Sequence, residues 1–242
     1  MKIENGHFQL FFEKTYIVVV PTFKETLVHR HNMLHVFFGN CELRLPVGGK
    51  DVRGNVIILE NDVEHKAPDG QIAFFLFVDP TSHFAELLRG NFLRGQPAAA
   101  LNLSGVTFDK QSLTEDIIKK TVFDFAGEVQ LSKLNLDERI LQILHNIDSF
   151  KHLGERVSEI AEKYCYSESY LTHLFKNETG ITLKSYLLMR QFEYVWREVV
   201  KGRSLTEASM DAGFSSPSHF SDVCRKLTGI SVTKVLESQK PQ

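Results

Sequence analysis

Cysteine is scarce in this chain of 242 residues: Cys41, Cys165 and Cys224 lie far apart and show no CxxC or zinc-finger spacing. That usage excludes a disulfide framework and a zinc finger, and it fits a reducing compartment. No run approaches the ~18 apolar residues of a membrane span, and MKIENGHFQLFFEK at the start lacks a basic stretch followed by a long apolar core. The chain therefore reads as a soluble cytoplasmic protein with no membrane partner. An excess of one charge sign is also missing, the formal net charge being −2. GxSxG, P-loop, dinucleotide-fingerprint and HExxH motifs are absent, which argues against the enzyme classes they mark. The apolar fraction of 43% is enough for packed cores.

The most informative stretch is 204 to 227, SLTEASMDAGFSSPSHFSDVCRKL. Ser204 and Glu207 have the spacing of a capping box, so a helix is predicted to start there. It ends at Gly213, where a positive φ costs no Cβ clash. A second helix follows at once, with Ser216 as N-cap, Pro217 at the first helical position, and Phe220, Cys224 and Leu227 on one face. This is a helix-turn-helix pattern, which alone is also compatible with a packing hairpin.

A repeat strengthens the reading. Residues 157 to 187 align with 205 to 236 if one residue is allowed in the turn, so that Ser167 matches Ser216, Leu171 matches Phe220, and Thr179-Gly180-Ile181-Thr182 matches Thr228-Gly229-Ile230-Ser231. Between the units, residues 183 to 201 carry Tyr186, Met189, Phe192, Trp196 and Val199 at helical spacing with no proline or glycine. A helix of that length spans roughly 28 Å, close to the ~34 Å between successive major grooves.

With these residues in view, 137 to 236 resembles the DNA-binding domain of the AraC/XylS family of bacterial transcription regulators, most specifically in Ala212-Gly213-Phe214-Ser215-Ser216-Pro217-Ser218-His219-Phe220. The chain departs from the family pattern in four places. Cys165 replaces a turn glycine, Gln191 stands where the linking helix usually carries arginine with Arg190 beside it, and Asp222 and Cys224 replace a basic residue and a phenylalanine. The resemblance implies double-stranded DNA, RNA polymerase and a second copy of the chain as partners. The outward positions of the two recognition helices are Ser169, Thr172, His173 and Lys176 in the first, and Pro217, Ser218, Ser221, Asp222, Arg225 and Lys226 in the second. Their N-terminal members suit base edges, and the cations suit phosphates or guanines. Residues 137 to 242 hold 14 Lys+Arg against 14 Asp+Glu, so phosphate contact must come from local placement of charge.

Residues 8 to 78 read as short strands, 8–12, 15–20, 34–38, 42–45, 56–59 and 72–78, with turn signals at Gly39-Asn40, Gly48-Gly49, Gly54-Asn55 and Pro68-Asp69-Gly70. A small antiparallel barrel or sandwich is expected. His29, His31, His35 and His65 resemble the metal-binding pattern of a cupin barrel, with His35 where glutamate is commoner. Alternation along a strand lets His29 and His31 share an interior that His65 faces. These imidazoles either hold a divalent transition metal such as Zn, Fe, Ni or Cu, or line a small-effector pocket with apolar neighbours such as Phe37 and Phe75. Residues 81 to 95 look helical, QPAAALNLSG reads as a loop or linker, and an apolar stripe of Leu113, Ile117, Ile118, Val122, Phe125, Ala126 and Val129 marks a helix over 112 to 131. That helix either packs on the barrel or, by resemblance, dimerises.

The expectation is an α+β two-domain protein: a cupin-like antiparallel β-barrel sensor (1–95), a linker with a dimerisation helix (96–135), and an all-α double helix-turn-helix domain (136–242). It is a transcription regulator, by resemblance an activator, and not an enzyme; the alternative is a metal-dependent cupin enzyme with an accessory helical domain.

Overall fold

The computed structural model describes residues 9–21, 26–105, 107–109, 113–126 and 136–237. Contacts divide the chain into two units, Leu134–Cys224 and Lys2–Lys133 with Arg225–Gln242.

The second of these is built on one antiparallel sheet. Its strands are β1 (Gln9–Phe12), β2 (Tyr16–Val20), β3 (Leu34–Val47), β4 (Lys50–Leu59), β5 (Ile72–Val78) and β6 (Ala98–Leu101), in the order β1-β2-β5-β3-β4-β6. Among the described residues the ladder does not close on itself and has β1 and β6 at its edges, an open arrangement compatible with the expected cupin-like barrel. β5 is buried at every position, as a central strand packed on both faces should be. Val18, Leu34, Val36, Phe38, Ile58, Phe74 and Leu76 form the core of one face, closed by Phe84, Leu88, Ile118 and Val122 from helices.

Three turn signals behave differently from one another. Gly48-Gly49 is the hairpin turn between β3 and β4, both residues having positive φ as a two-residue hairpin of this kind requires. Gly39-Asn40 does not turn the chain: β3 runs straight through it, with a register shift. The Asn40 side chain donates to the Phe108 carbonyl at 2.7 Å and accepts from the Phe108 amide at 2.6 Å, so the irregularity is anchored rather than folded back. A Cβ at Gly39 would sit 2.7 Å from the Leu43 side chain. Gly54-Asn55 likewise lies inside β4, because β6 approaches there so closely that a Cβ on Gly54 would meet the Leu101 carbonyl at 2.5 Å. β6 itself is a correction, since AAAL was expected to be loop. It pairs Val56 with Leu101 and Leu59 with Ala98.

Helix α1 (His83–Leu88) continues into a π-helical turn, Arg89–Leu93. Helix α2 (Glu115–Ala126) buries Ile118 and Val122 in the sheet core, with Phe125 and Ala126 packed against it, whereas Ile117 is 44% exposed. The predicted stripe is thus only partly a packing face. Its last member, Val129, lies outside the described residues.

The other unit is helical: α3 (Glu138–Asp148), α4 (Val157–Lys163), α5 (Glu168–Thr179), α6 (Leu183–Val200), α7 (Leu205–Asp211) and α8 (Pro217–Thr228) as far as Cys224; the end of α8 and α9 (Val232–Glu237) group with the sheet. The capping box predicted for α7 is present, Ser204 Oγ accepting from the Glu207 amide and the Glu207 carboxylate accepting from the Ser204 amide. α6 is the central helix. Tyr186 packs against Phe175 of α5 at 5.6 Å between ring centroids, and Phe192 and Trp196 pack against Phe220 of α8 at 6.0 and 5.9 Å. The anchors lie roughly 100° apart around α6, at 100° per residue. Both helix-turn-helix units therefore share one strut.

Candidate functional site

Two sets of residues carry chemistry, one on the helices α5 and α8 and one beside the sheet. On α5, Leu171 and Phe175 are fully buried, which holds the opposite face open. Ser169, His173 and Lys176 are exposed there, and Thr172 is half-buried. Sequence reasoning missed Tyr170, 44% exposed on the same face. Its hydroxyl accepts from Arg139 at 2.8 Å, a partner 31 positions away that no local pattern could show. On α8, Phe220, Val223 and Cys224 face inward as expected. Ser218, Asp222, Arg225 and Lys226 are exposed, while Pro217 and Ser221 are half-buried. Ser221 Oγ donates to the Pro217 carbonyl at 2.9 Å and is partly committed to its own helix. His219 is an exposed addition, its Nδ1 3.0 Å from Ser215 Oγ.

The cations differ in their partners. Arg139, Lys163, Arg190, Arg197, Lys201 and Arg203 are all in ion pairs. Among the described residues Lys176, Arg225 and Lys226 on the recognition helices are in none, as are Lys151, Arg156 and Lys184 elsewhere in this region. An exposed cation on a recognition helix, left without a protein carboxylate, is free to replace a phosphate counterion.

The two turns differ in chemistry. Gly213 has φ +86° and Cys165 has φ +58°, so the cysteine of the first turn holds the left-handed conformation that glycine holds in the second. Cys165→Gly is expected to stabilise the helical unit by about 1 kcal/mol, the cost of a side chain in that region less the extra chain entropy of glycine. Urea unfolding of the two proteins measures it. Gln191, the other departure, donates from Nε2 to the Ala212 carbonyl at 2.8 Å and so caps the end of α7. Arg190 is 7% exposed and bound into the helical core rather than presented outward.

The second set is the histidine cluster. His29 and His65 exchange both backbone hydrogen bonds, at 2.8 and 3.0 Å, in an isolated antiparallel bridge. The Asp62 amide donates to the His31 carbonyl at 2.8 Å, and β3 supplies His35. All four imidazoles are buried, and their ligand atoms lie within 4.8 Å of one another. Phe37 stacks on His35 at 4.6 Å, with Phe75 and Phe77 beside it. Thus the structure brings together the four histidines that the sequence offered as a metal or effector set.

Hydrogen bonds fix the tautomers. His29 Nδ1–H donates to the Leu27 carbonyl and His65 Nδ1–H to the Val63 carbonyl, each at 2.8 Å. His31 Nδ1 accepts from the Met33 amide at 3.1 Å, so its proton is on Nε2 and is donated to His35 Nε2 at 2.8 Å. Burial pushes all four pKa values down, His65 to about 4 and His31 and His35 well below the usual imidazole value, with neighbouring imidazoles adding to the effect at His31, His35 and His65. The cluster is therefore neutral at pH 7.

Comparison with known proteins agrees with this geometry. Residues 160–238 match the model of a helix-turn-helix domain. The probable transcriptional regulator LumQ of Photobacterium leiognathi is 30% identical over 102 residues, 40% of this chain and 40% of that protein. The chain thus matches well under half the length of this curated relative. Among solved structures, an apo form of ToxT from Vibrio cholerae superposes with a TM-score of 0.55 at 13% identity, covering 93% of this chain and 98% of that one. ToxT with an unsaturated fatty acid bound gives 0.50 at 15% identity, covering 98% and 97%. At such identities the likeness shows the fold: a sheet-based N-terminal region followed by a helical C-terminal region. No helix among the described residues is long and apolar enough to cross a membrane. The tandem units on one central helix thus coincide with the matched helix-turn-helix domain, and the two-part fold is the one seen in those structures.

Proposed function

We propose that the protein is a sequence-specific, DNA-binding transcription regulator of the bacterial cytoplasm, acting as a homodimer and controlled by a small effector held in the sheet unit. The observation that carries this reading is the pair of open recognition faces on α5 and α8, with Lys176, Arg225 and Lys226 outside any ion pair. Ser169, Tyr170 and His173 on α5, and Ser218, His219 and Asp222 on α8, are the candidate base readers. Lys176, Arg225 and Lys226 supply phosphate or guanine contacts.

The fatty-acid-bound structure of ToxT, with the same fold, supports control by a small effector. In this chain the aromatic surroundings of the histidines, Phe37, Phe75 and Phe77, suit such a ligand. The exposed Ile117 and Phe123 of α2 support a helix-mediated dimer. Two tethered readers act on paired half-sites at high effective concentration, which offsets the balanced charge of the helical region. Contact with RNA polymerase, and activation rather than repression, follow the resemblance.

The test is pull-down of genomic fragments by the full-length protein, alongside Ser218→Ala/Arg225→Ala. A shared motif with two elements about one helical turn apart is expected from the wild type. On that motif Arg225→Ala should weaken binding roughly tenfold and reduce the salt slope by about 1. No enriched motif at low salt would reject the reading.

A further inference from the structure

We propose that His29, His35 and His65 bind one divalent transition-metal ion through their Nε2 atoms, with His31 as a movable partner that hydrogen-bonds to His35 when the ion is absent. The inference goes beyond the DNA-binding reading and does not depend on it.

Three features point to a metal rather than to a satisfied polar core. His29 and His65 each use Nδ1–H on a backbone carbonyl, which fixes the tautomer and leaves the Nε2 lone pair inward, the arrangement that orients metal-binding histidines. Second, His65 Nε2 is buried and closes no hydrogen bond. A bare acceptor in such a place costs about 1–3 kcal/mol, and an ion would remove that cost. Third, His35 carries its proton on Nδ1, since Nε2 accepts from His31. It therefore also has an Nε2 lone pair on the side of the cluster.

Chemistry narrows the ion. Among the described residues no carboxylate or thiolate belongs to the cluster; its imidazoles suit Zn²⁺, Co²⁺, Ni²⁺, Cu²⁺ and Fe²⁺ rather than oxygen-seeking Mg²⁺ and Ca²⁺. The ligand atoms span up to 4.8 Å. On one tetrahedral ion, with metal–nitrogen bonds of about 2.0–2.1 Å, they would be about 3.3 Å apart. The rings must close by up to about 1.5 Å, within the reach of χ1 and χ2 adjustments.

His31 differs from the other three. The Met33 amide holds its Nδ1 as an acceptor, so its Nε2 is protonated and is no ligand in this state. That proton occupies the same His35 lone pair that the ion needs. Loading therefore breaks the 2.8 Å His31–His35 bond, and the two states of His31 report occupancy.

The test uses full-length protein without a histidine tag, freed of metal by chelator and titrated with Co²⁺, then with Zn²⁺ in competition. Visible d–d bands saturating at one equivalent per chain, without the thiolate charge-transfer band that Cys41 or Cys165 would give, are expected. Zn²⁺ should raise the unfolding temperature of the same protein. His65→Ala should weaken binding by more than about 100-fold, exceeding the loss typical of removing an outer-shell partner. His31→Leu, which frees the His35 lone pair, should bind within about tenfold of wild type, the order set by one hydrogen bond. No saturable binding by the wild type would overturn the site whether or not a variant folds. Equal losses in His31→Leu and His65→Ala would overturn the three-ligand assignment.

Discussion

Gly213→Ala is expected to destabilise the helical unit by roughly 3–5 kcal/mol, combining backbone strain with overpacking. Gly213 has φ +86°, and a Cβ there would lie 2.2 Å from Gly154 Cα and 2.8 Å from Gly154 N. These neighbours are backbone, so no side-chain rotation relieves the clash. The same Cβ would stand 3.2 Å from Gln191 Nε2 and disturb its bond to the Ala212 carbonyl. Thus the turn of the second helix-turn-helix requires glycine twice, once for its dihedral and once for its closeness to the loop after α3. Gly180 separates the two requirements, because it has φ +78° with nothing within 4 Å of its Cβ position. Gly180→Ala should cost only the left-handed conformation, about 1–2 kcal/mol. For a domain of about 100 residues the Gly213 loss corresponds to a fall in Tm of more than about 12 °C. Thermal unfolding followed by circular dichroism measures both variants. Equal costs at the two positions would mean that the two glycine backbones are not in contact.

Gly154 also shows where the sequence stops being legible. Local signals were sufficient for the helical region, since the capping box at Ser204, Pro217 at a helix start and the doubled Thr-Gly-Ile motif each act within a few residues. The Gly154–Gly213 contact joins positions 59 apart in the chain, and neither residue announces the other. In the sheet unit, Gly39-Asn40 and Gly54-Asn55 carry turn composition, yet both lie within long strands. There the glycines serve an irregularity and a close strand approach, uses that composition cannot distinguish from a turn. AAAL has little β propensity and becomes a strand through pairing with β4. The histidines were legible as a set because of their spacing. Their geometry was not, since a single backbone bridge between His29 and His65, across 36 positions, places them.

The central helix α6 holds the other large effect, because its charged residues look like a solvated face in the sequence. Arg190 and Glu193 are 7% and 4% exposed. The Arg190 guanidinium donates to Glu193 Oε2 at 2.6 Å and to the Tyr186 hydroxyl at 2.8 Å, and pairs with Asp148 at 3.0 Å. Tyr186 in turn donates to Asp148 at 2.6 Å, so the network ties α6 to α3. Arg190→Met keeps much of the side-chain volume but leaves Glu193 buried with only Arg197 beside it, 2.7 Å away. Removing one partner of a buried pair costs about 3–5 kcal/mol, most of it the penalty on the charge left behind. Removing that charge as well should therefore recover most of the loss. Arg190→Met/Glu193→Leu is expected within about 1 kcal/mol of the wild type, since well-packed apolar replacements of a buried pair are often near neutral. Denaturant unfolding of wild type, both single variants and the double variant gives the coupling directly. A single-variant loss below about 1 kcal/mol, the range of exposed pairs, would show that the network is solvated. A double variant as unstable as Arg190→Met would show instead that the arginine acts through its bonds to Tyr186 and Asp148, positioning α3 against α6 independently of the Glu193 charge.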